Sequence, residues 1–544
     1  MTLNLELKKI LLVEDNPTMR KAIMEMLYML HAQHIVETNN GIGAVAALTQ
    51  DQFDIVLCDY NLGPGKNGQQ VLEEARFNKL LPVGAVFIMV TAEQNQSMVL
   101  GAMDSRPDEY LIKPFNSQQL LNRLARSCAR KHFFEDIARA ADQGDLSSAI
   151  HYCEQRLGQD HKNMRMPLLK MRAELAVDTG DYVTARQIYL DVLEQRDLPW
   201  ARQGLGIIAF LEKNHEQAID VFQQVLNQNP MMLETYDWLA KAQEAAGENL
   251  EALDTTHSAV DLSPQAILRQ KKLALLADKT ENTAIAEKAY KAAIKLGRHS
   301  IHKSSSDYSG LAKVYLKTNA TAEALRVVEE LHQQFTDDPE AELRAAALAT
   351  EAYQKMGDAA LTRQAYEKML ELNRQFGNRI AKELRLEIAT VCRLNEDHQA
   401  SDRILDELVK SYVDDPEFMS DIKKMCATFN NSDYAKKLIQ RTRQEVIEIH
   451  NQGVRLFKEG KLNDALALFE QALAKMPDNK TMLLNMAKVM IYDIKANGST
   501  REKILRTEAA IKKTRQSGIA HDKITELQMA LAKITRPQST SHQS

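Results

Sequence analysis

Five polar side chains near the N-terminus each stand at the end of a short apolar run. Glu14 and Asp15 follow Lys9-Ile-Leu-Leu-Val13, Asp59 follows Asp54-Ile-Val-Leu-Cys58, Thr91 follows Ala85–Val90, and Lys113 comes just after Glu109-Tyr-Leu111. Apolar runs that are continuous rather than alternating are the mark of parallel strands buried on both faces. In such a sheet, ligands bind outside the carboxyl ends of the strands, where the strand order switches. The five side chains are therefore expected to converge in one pocket, although they are far apart in sequence. Three carboxylates crowded together repel unless a cation sits among them, and a hard divalent ion such as Mg²⁺ suits oxygen ligands. Lys113 adds a fixed positive charge and Thr91 a hydroxyl donor.

The elements that must position these groups follow from the pattern. Ile35-Val36 reads as a weaker second strand, between those at Lys9–Val13 and Asp54–Cys58. Helical patterns begin at Pro17, with Asn16 as cap and proline at the first helical position. Others cover Ala44–Leu48, Gln69–Phe77, Gln96–Met103 and Ser117 onward. Five strand–helix units predict a doubly wound α/β domain.

The motifs Val13-Glu-Asp-Asn16, Val56-Leu-Cys-Asp-Tyr-Asn61, Met89-Val-Thr-Ala-Glu93 and Asp108-Glu-Tyr-Leu-Ile-Lys-Pro-Phe115 resemble the receiver domain of two-component response regulators, a flavodoxin-like fold, over about the first quarter of the chain. The resemblance implies that Asp59 accepts a phosphoryl group from a histidine kinase or phosphotransfer protein. It implies that Glu14, Asp15, Asp59 and the backbone carbonyl of Asn61 hold Mg²⁺, and that Thr91 and Lys113 assist the transfer. Tyr110 would be the aromatic that reports the change. One departure stands out: the loop from Asp59 to Gly68 is a residue longer than is usual, with Gly63-Pro64 where Met-Pro is common.

Beyond Ala125 strand signals vanish and amphipathic helices recur. A small residue, with one threonine, repeats at Ala149, Ala185, Ala218, Ala252, Ala286, Ala324, Thr362, Ala400, Ala435 and Ala465. The intervals scatter around the roughly 34 residues of tetratricopeptide (TPR) units. Two further columns keep register: Ala173, Gly206, Ala240, Ala274, Ala312 and Gly453 twelve before, and Tyr189, Phe222, Tyr290, Tyr366 and Phe469 four after. Small residues let paired helices approach and the aromatic fills the next interface. Asn451–Asn479 closely resembles a TPR unit. The expected organisation is a receiver over 1–128, a TPR-type helical solenoid over 129–495, and C-terminal helices with a frayed polar tail over 496–544. The last receiver helix has no Gly or Pro from Ser117 into Phe133–Ala141, so it reads as one lever into the repeats.

Bulk properties narrow the partners. The chain has 544 residues and a formal net charge of −5, a balance that offers no footprint for DNA or an anionic membrane surface. Its 5 cysteines are scattered without a CxxC pair, which fits a reducing compartment. The opening MTLNLELKKI lacks the form of a signal peptide, and no apolar run nears the roughly 18 residues of a span. These features predict a cytoplasmic protein.

Several features carry blander readings. Glu14 and Asp15 alone read as helix-start acids, Tyr110 alone as a packed aromatic, Cys58 as a buried thiol, and His31 with His34 as a surface pair. The basic run Arg123, Arg126, Arg130 and Lys131 reads as a solvated face, with a contact surface for a partner or a receiver-mediated homodimer as the sharper alternative. Gly41-Ile-Gly43 reads as a turn into a helix, and Tyr236 and Trp238 as core. Nothing beyond residue 125 resembles a catalytic or DNA-binding output, so the expectation is a non-enzymatic adaptor whose repeats bind an unidentified protein. The alternative is a scaffold or phosphate sink that only docks a kinase.

Overall fold

The computed structural model describes residues 3–92, 106–159, 163–519 and 521–535. The helix expected at Gln96–Met103, the last residue of the Met89–Glu93 motif and the polar tail lie outside the described residues. Five strands, β1 (Lys9–Val13), β2 (His34–Thr38), β3 (Ile55–Asp59), β4 (Val86–Thr91) and β5 (Glu109–Ile112), form one parallel sheet in the order β2-β1-β3-β4-β5. The three inner strands are buried almost throughout. β2 is an edge strand with mostly exposed side chains, which is why its apolar signal is faint.

Helices cover both faces. On one, α1 (Pro17–Met29) and α4 (Ser117–Asp142) bury Ile23, Leu27, Leu120 and Leu124 against Leu12, Leu57 and Ile88. On the other, α2 (Gly41–Gln50) and α3 (Gly68–Phe77) bury Leu48, Val71 and Leu72 against Leu11, Val56 and Phe87. Asn16 caps α1 by accepting from the amides of Thr18 and Met19, and Pro17 opens it. Asn67 and Gln70 form a capping box on α3, and Asn116 and Gln119 another on α4; each satisfies two amides that a helix start leaves orphaned.

α4 runs unbroken for 26 residues. Its first half lies under the sheet, while Phe134, Ile137 and Ala140 join Ala149 and Cys153 of the first helical hairpin and Leu168 of the helix after it. The expected lever is thus one helix shared by the sheet domain and the repeats. Lys131 and Lys79 pair with Asp108 and Asp142, at 3.0 and 2.9 Å, bracing it along the sheet domain.

The chain divides into two compact units, residues 1–327 and 328–544. In the first, α5 (Leu146–Leu157) completes the hairpin begun by α4. Paired helices follow: α6 (Arg165–Asp178) with α7 (Tyr182–Gln195), α8 (Pro199–Leu211) with α9 (His215–Gln228), α10 (Leu233–Ala246) with α11 (Asn249–Leu262), and α12 (Ile267–Lys279) with α13 (Thr283–Gly297). α14 (Ser305–Lys317) comes next, and α15 (Thr321–Gln334) contains the point of division. The anchor alanines Ala149, Ala185, Ala218, Ala252 and Ala286 are fully buried. The small and aromatic columns meet: a Cβ on Gly206 would fall 2.6 Å from the Phe222 ring. Tyr236 and Trp238 pack half-buried against the cluster around Phe222.

The second unit holds α16 (Pro339–Met356), α17 (Ala359–Phe376), α18 (Lys382–Leu394), α19 (His398–Tyr412), α20 (Pro416–Thr428), α21 (Ser432–Lys458), α22 (Leu462–Lys475), α23 (Lys480–Asn497), α24 (Arg501–Gln516) and α25 (His521–Thr535). The short interval between Ala435 and Ala465 has a structural cause. α21 is a single helix of 27 residues that serves two successive hairpins without a turn. At its end a Cβ on Gly453 would fall 2.2 Å from the Phe469 ring. Among the described residues, no helix is long and apolar enough to cross a membrane. All five cysteines are free thiols.

Candidate functional site

The carboxyl ends of β1, β3, β4 and β5 bring Glu14, Asp59, Thr91 and Lys113 together. Lys113 Nζ donates to Glu14 Oε2 at 2.7 Å and to Asp59 Oδ2 at 2.8 Å. Glu14 is 1%, Asp59 7% and Thr91 6% exposed, while Asp15 is open to solvent. Glu14, Asp15 and Asp59 each offer an oxygen within 4.8 Å of the others, and among the described residues this is the one cluster of potential metal ligands. His31 and His34 are both exposed and take no part in it.

The electrostatics follow from crowding. Burial pushes the Glu14 carboxyl above its ordinary range; the Lys113 hydrogen bond works against this and the charge of Asp59 reinforces it. Burial alone would lower Lys113, but its bonds to Asp59 and Glu14 outweigh it and hold the ammonium more basic than usual. Cys58 is raised by complete burial and by the neighbouring carboxylates, so it sits as an inert strand thiol. Glu14 Oε1 is buried without a hydrogen-bond partner. An orphaned buried oxygen on a carboxylate clustered with two other acids is costly unless a cation comes to it, so the residues present fit a divalent ion.

The backbone holds these groups in place. Tyr60 donates its amide to the Val90 carbonyl at 2.8 Å and Lys113 its amide to Thr91 at 2.8 Å, tying the loops after β3 and β5 to β4. The Asp59–Gly68 loop turns through two left-handed glycines, Gly63 (φ +70°) and Gly65 (φ +109°). It closes where Gly68 donates to the Tyr60 carbonyl at 2.9 Å. A Cβ on Gly68 would lie 2.3 Å from the Asp59 carbonyl oxygen, and one on Gly41 would lie 2.4 Å from that of Lys66. Gly41 thus opens α2 and also admits the loop.

Two contributors carried no motif. Arg20 Nη1 donates to the Glu14 carbonyl at 2.8 Å, and Lys66 pairs with Glu74 on α3. The extra residue in the loop was the only sequence sign of the second. Tyr110 is half-buried against the cluster around Phe87. Of the basic run, Arg123 and Arg126 pair with Glu109 and Lys131 with Asp108.

Residues 10–125 match the model of the response regulator receiver domain. A chemotaxis protein, CheY-3 of Vibrio cholerae, is 33% identical over 119 residues, covering 21% of this chain and 88% of that protein. The chain belongs to the response regulator receiver family. CheY of Pseudomonas aeruginosa is similarly 33% identical over 121 residues, 22% of this chain and 94% of that one. Behind the receiver, residues 170–231 and 456–491 match tetratricopeptide repeat models. Among solved structures, the receiver domain of the sensor histidine kinase PA1611 from Pseudomonas aeruginosa PAO1 is 29% identical, with a TM-score of 0.21, over 22% of this chain and 98% of that chain. That structure has magnesium coordinated in its active site cleft.

Proposed function

We propose that this response regulator takes a phosphoryl group on Asp59 from a histidine kinase or phosphotransfer protein and uses its repeats as a protein-binding output. The reading rests above all on Lys113 bridging Glu14 and Asp59 beside a buried, unpartnered carboxylate oxygen. With Oδ2 of Asp59 engaged by Lys113, Oδ1 is the attacking oxygen. It forms the new O–P bond as the P–N bond to the donor imidazole breaks and the electron pair returns to the ring. Glu14, Asp15, Asp59 and the Asn61 carbonyl are the residues that would hold Mg²⁺, which when bound neutralises charge on the transferring group. Lys113 adds positive charge that is already fixed in place, so little reorganisation is needed. The Thr91 hydroxyl, at the end of β4, donates to a phosphoryl oxygen and moves toward it. Tyr110 on β5 follows that movement.

Stacked hairpins present extended surfaces suited to peptides or folded partners. We read the chain as a signalling adaptor and not as an enzyme acting on another substrate. The test compares partner capture by the wild type, Asp59→Asn and a beryllofluoride-loaded form, alongside labelling by a small phosphodonor with magnesium. Labelling lost with Asp59→Asn, and capture that differs with loading, are expected. Equal labelling of wild type and variant would sink the acceptor assignment.

A further inference from the structure

The turn after α13 is irregular. The interval from Ala286 to Ala324 is longer than a standard repeat, and the surplus falls at residues 298–304, between α13 and α14. Helix ends leave carbonyls without intrahelical donors, and at this one donors come from the receiver. Gln70 Nε2 donates to the Leu296 carbonyl at 3.0 Å and Lys66 Nζ to the His299 carbonyl at 2.9 Å. A lysine there also suits the negative end of the helix dipole. Arg106, just ahead of β5, pairs with Glu234 on α10 at 2.7 Å. The receiver's overlong loop and the repeats' overlong turn, each a departure from its own pattern, meet one another.

We propose that the β3–α3 loop and α3 of the receiver form an intramolecular docking surface for the 296–302 turn, and that phosphorylation of Asp59 releases it. The proposal rests on Asp59 being the acceptor. Gly68 packs against the Asp59 carbonyl without room for a Cβ, and Asn67 and Gln70 lock the helix start through their capping box. Rearrangement at Asp59 is therefore passed on to Lys66 and Gln70 rather than absorbed between them. A few contacts hold the dock, two of them side-chain bonds to carbonyls and one a largely exposed ion pair. That is weak enough for a charge change at the acceptor to shift the balance. Release would open the cavity of about 610 Å³ that receiver and repeats enclose together and expose its lining, which includes Glu73, Arg106, Met231, Leu233, Ile267 and His302.

Linkage makes the coupling reciprocal: what phosphorylation does to the dock, the dock does to ligand affinity at Asp59. The experiment uses the full chain with magnesium and beryllofluoride, reading occupancy by tyrosine fluorescence and amide exchange across residues 296–302. Full occupancy with about five-fold or more faster exchange there is expected. Arg106→Glu should speed exchange without beryllofluoride and tighten its binding. Adding Glu234→Arg to that variant should restore both. Full occupancy with unchanged exchange, or an Arg106→Glu chain that matches wild type in both readouts, overturns the release while leaving the acceptor reading standing. No occupancy at all overturns both.

Discussion

Lys113 pairs with both a fully buried Glu14 and a nearly buried Asp59. Removing one partner of a buried charge cluster costs about 3–5 kcal/mol, because the remaining charges stay buried without compensation. Lys113→Met should therefore lower the melting temperature in metal-free buffer, with part of the loss recovered on adding magnesium. Asp59→Asn should move it the other way, since it removes a like charge. Thermal melts with and without chelator check both. The thiols give a second residue-scale prediction. Burial pushes Cys153 and Cys392 up to about 11 and holds Cys58 and Cys426 above their ordinary value as well. Thiolate fractions at neutral pH are small and rise only as pH climbs toward those raised values. Native protein at pH 7 should alkylate first at Cys128, the one thiol that is not buried, and peptide mapping reads this directly. At this scale the sequence carried most of the site. A polar residue that ends an apolar run needs only the sheet's topology to become a pocket residue. Arg20 was silent because a side chain bonding a carbonyl leaves no spacing rule behind, and Lys66 was announced only by the extra residue in its loop.

Elements were legible where the apolar period was strong, and less so where tertiary context decided. The inner strands came out within a residue or so, while edge strand β2 had only Ile35-Val36 to announce it. The three-column register of the repeats corresponds to real packing, as Gly206 beneath Phe222 and Gly453 beneath Phe469 demonstrate. What the pattern could not say was that the shortest interval means a missing turn, since a continuous α21 and two helices with a tight break look alike in an amphipathic sequence. Gly206→Ala should destabilise by about 1–3 kcal/mol through overpacking, despite alanine's better helix propensity. Adding Phe222→Leu should recover part of the loss, measurable by denaturant unfolding. Arg130 is exposed midway along α4. Arg130→Pro should cost about 3 kcal/mol in that helix and leave beryllofluoride binding intact. If α4 is the lever, it should also erase any difference in partner capture between loaded and unloaded protein.

For the whole molecule, the question is whether the repeats carry the output or merely accompany a phosphate sink. Deleting residues 129–544 separates these. A sink retains its effect on the pathway, whereas an adaptor loses it; loss is the expected outcome, read from pathway output in cells that carry the fragment.

The shared helix α4 has a consequence for anyone recombining such proteins. Its residues 117–128 answer to one core and 133–141 to another, so the two modules are keyed to each other by rotation as well as by distance. Each residue turns a helix by about 100°. A two-residue mismatch at a graft would swing the first hairpin to nearly the opposite side, whereas a seven-residue insertion returns it to within about 20°. Exchanging receiver domains on this scaffold is therefore a problem of phase, and libraries of chimeras should show any coupling between receiver and repeats recurring with the period of the helix.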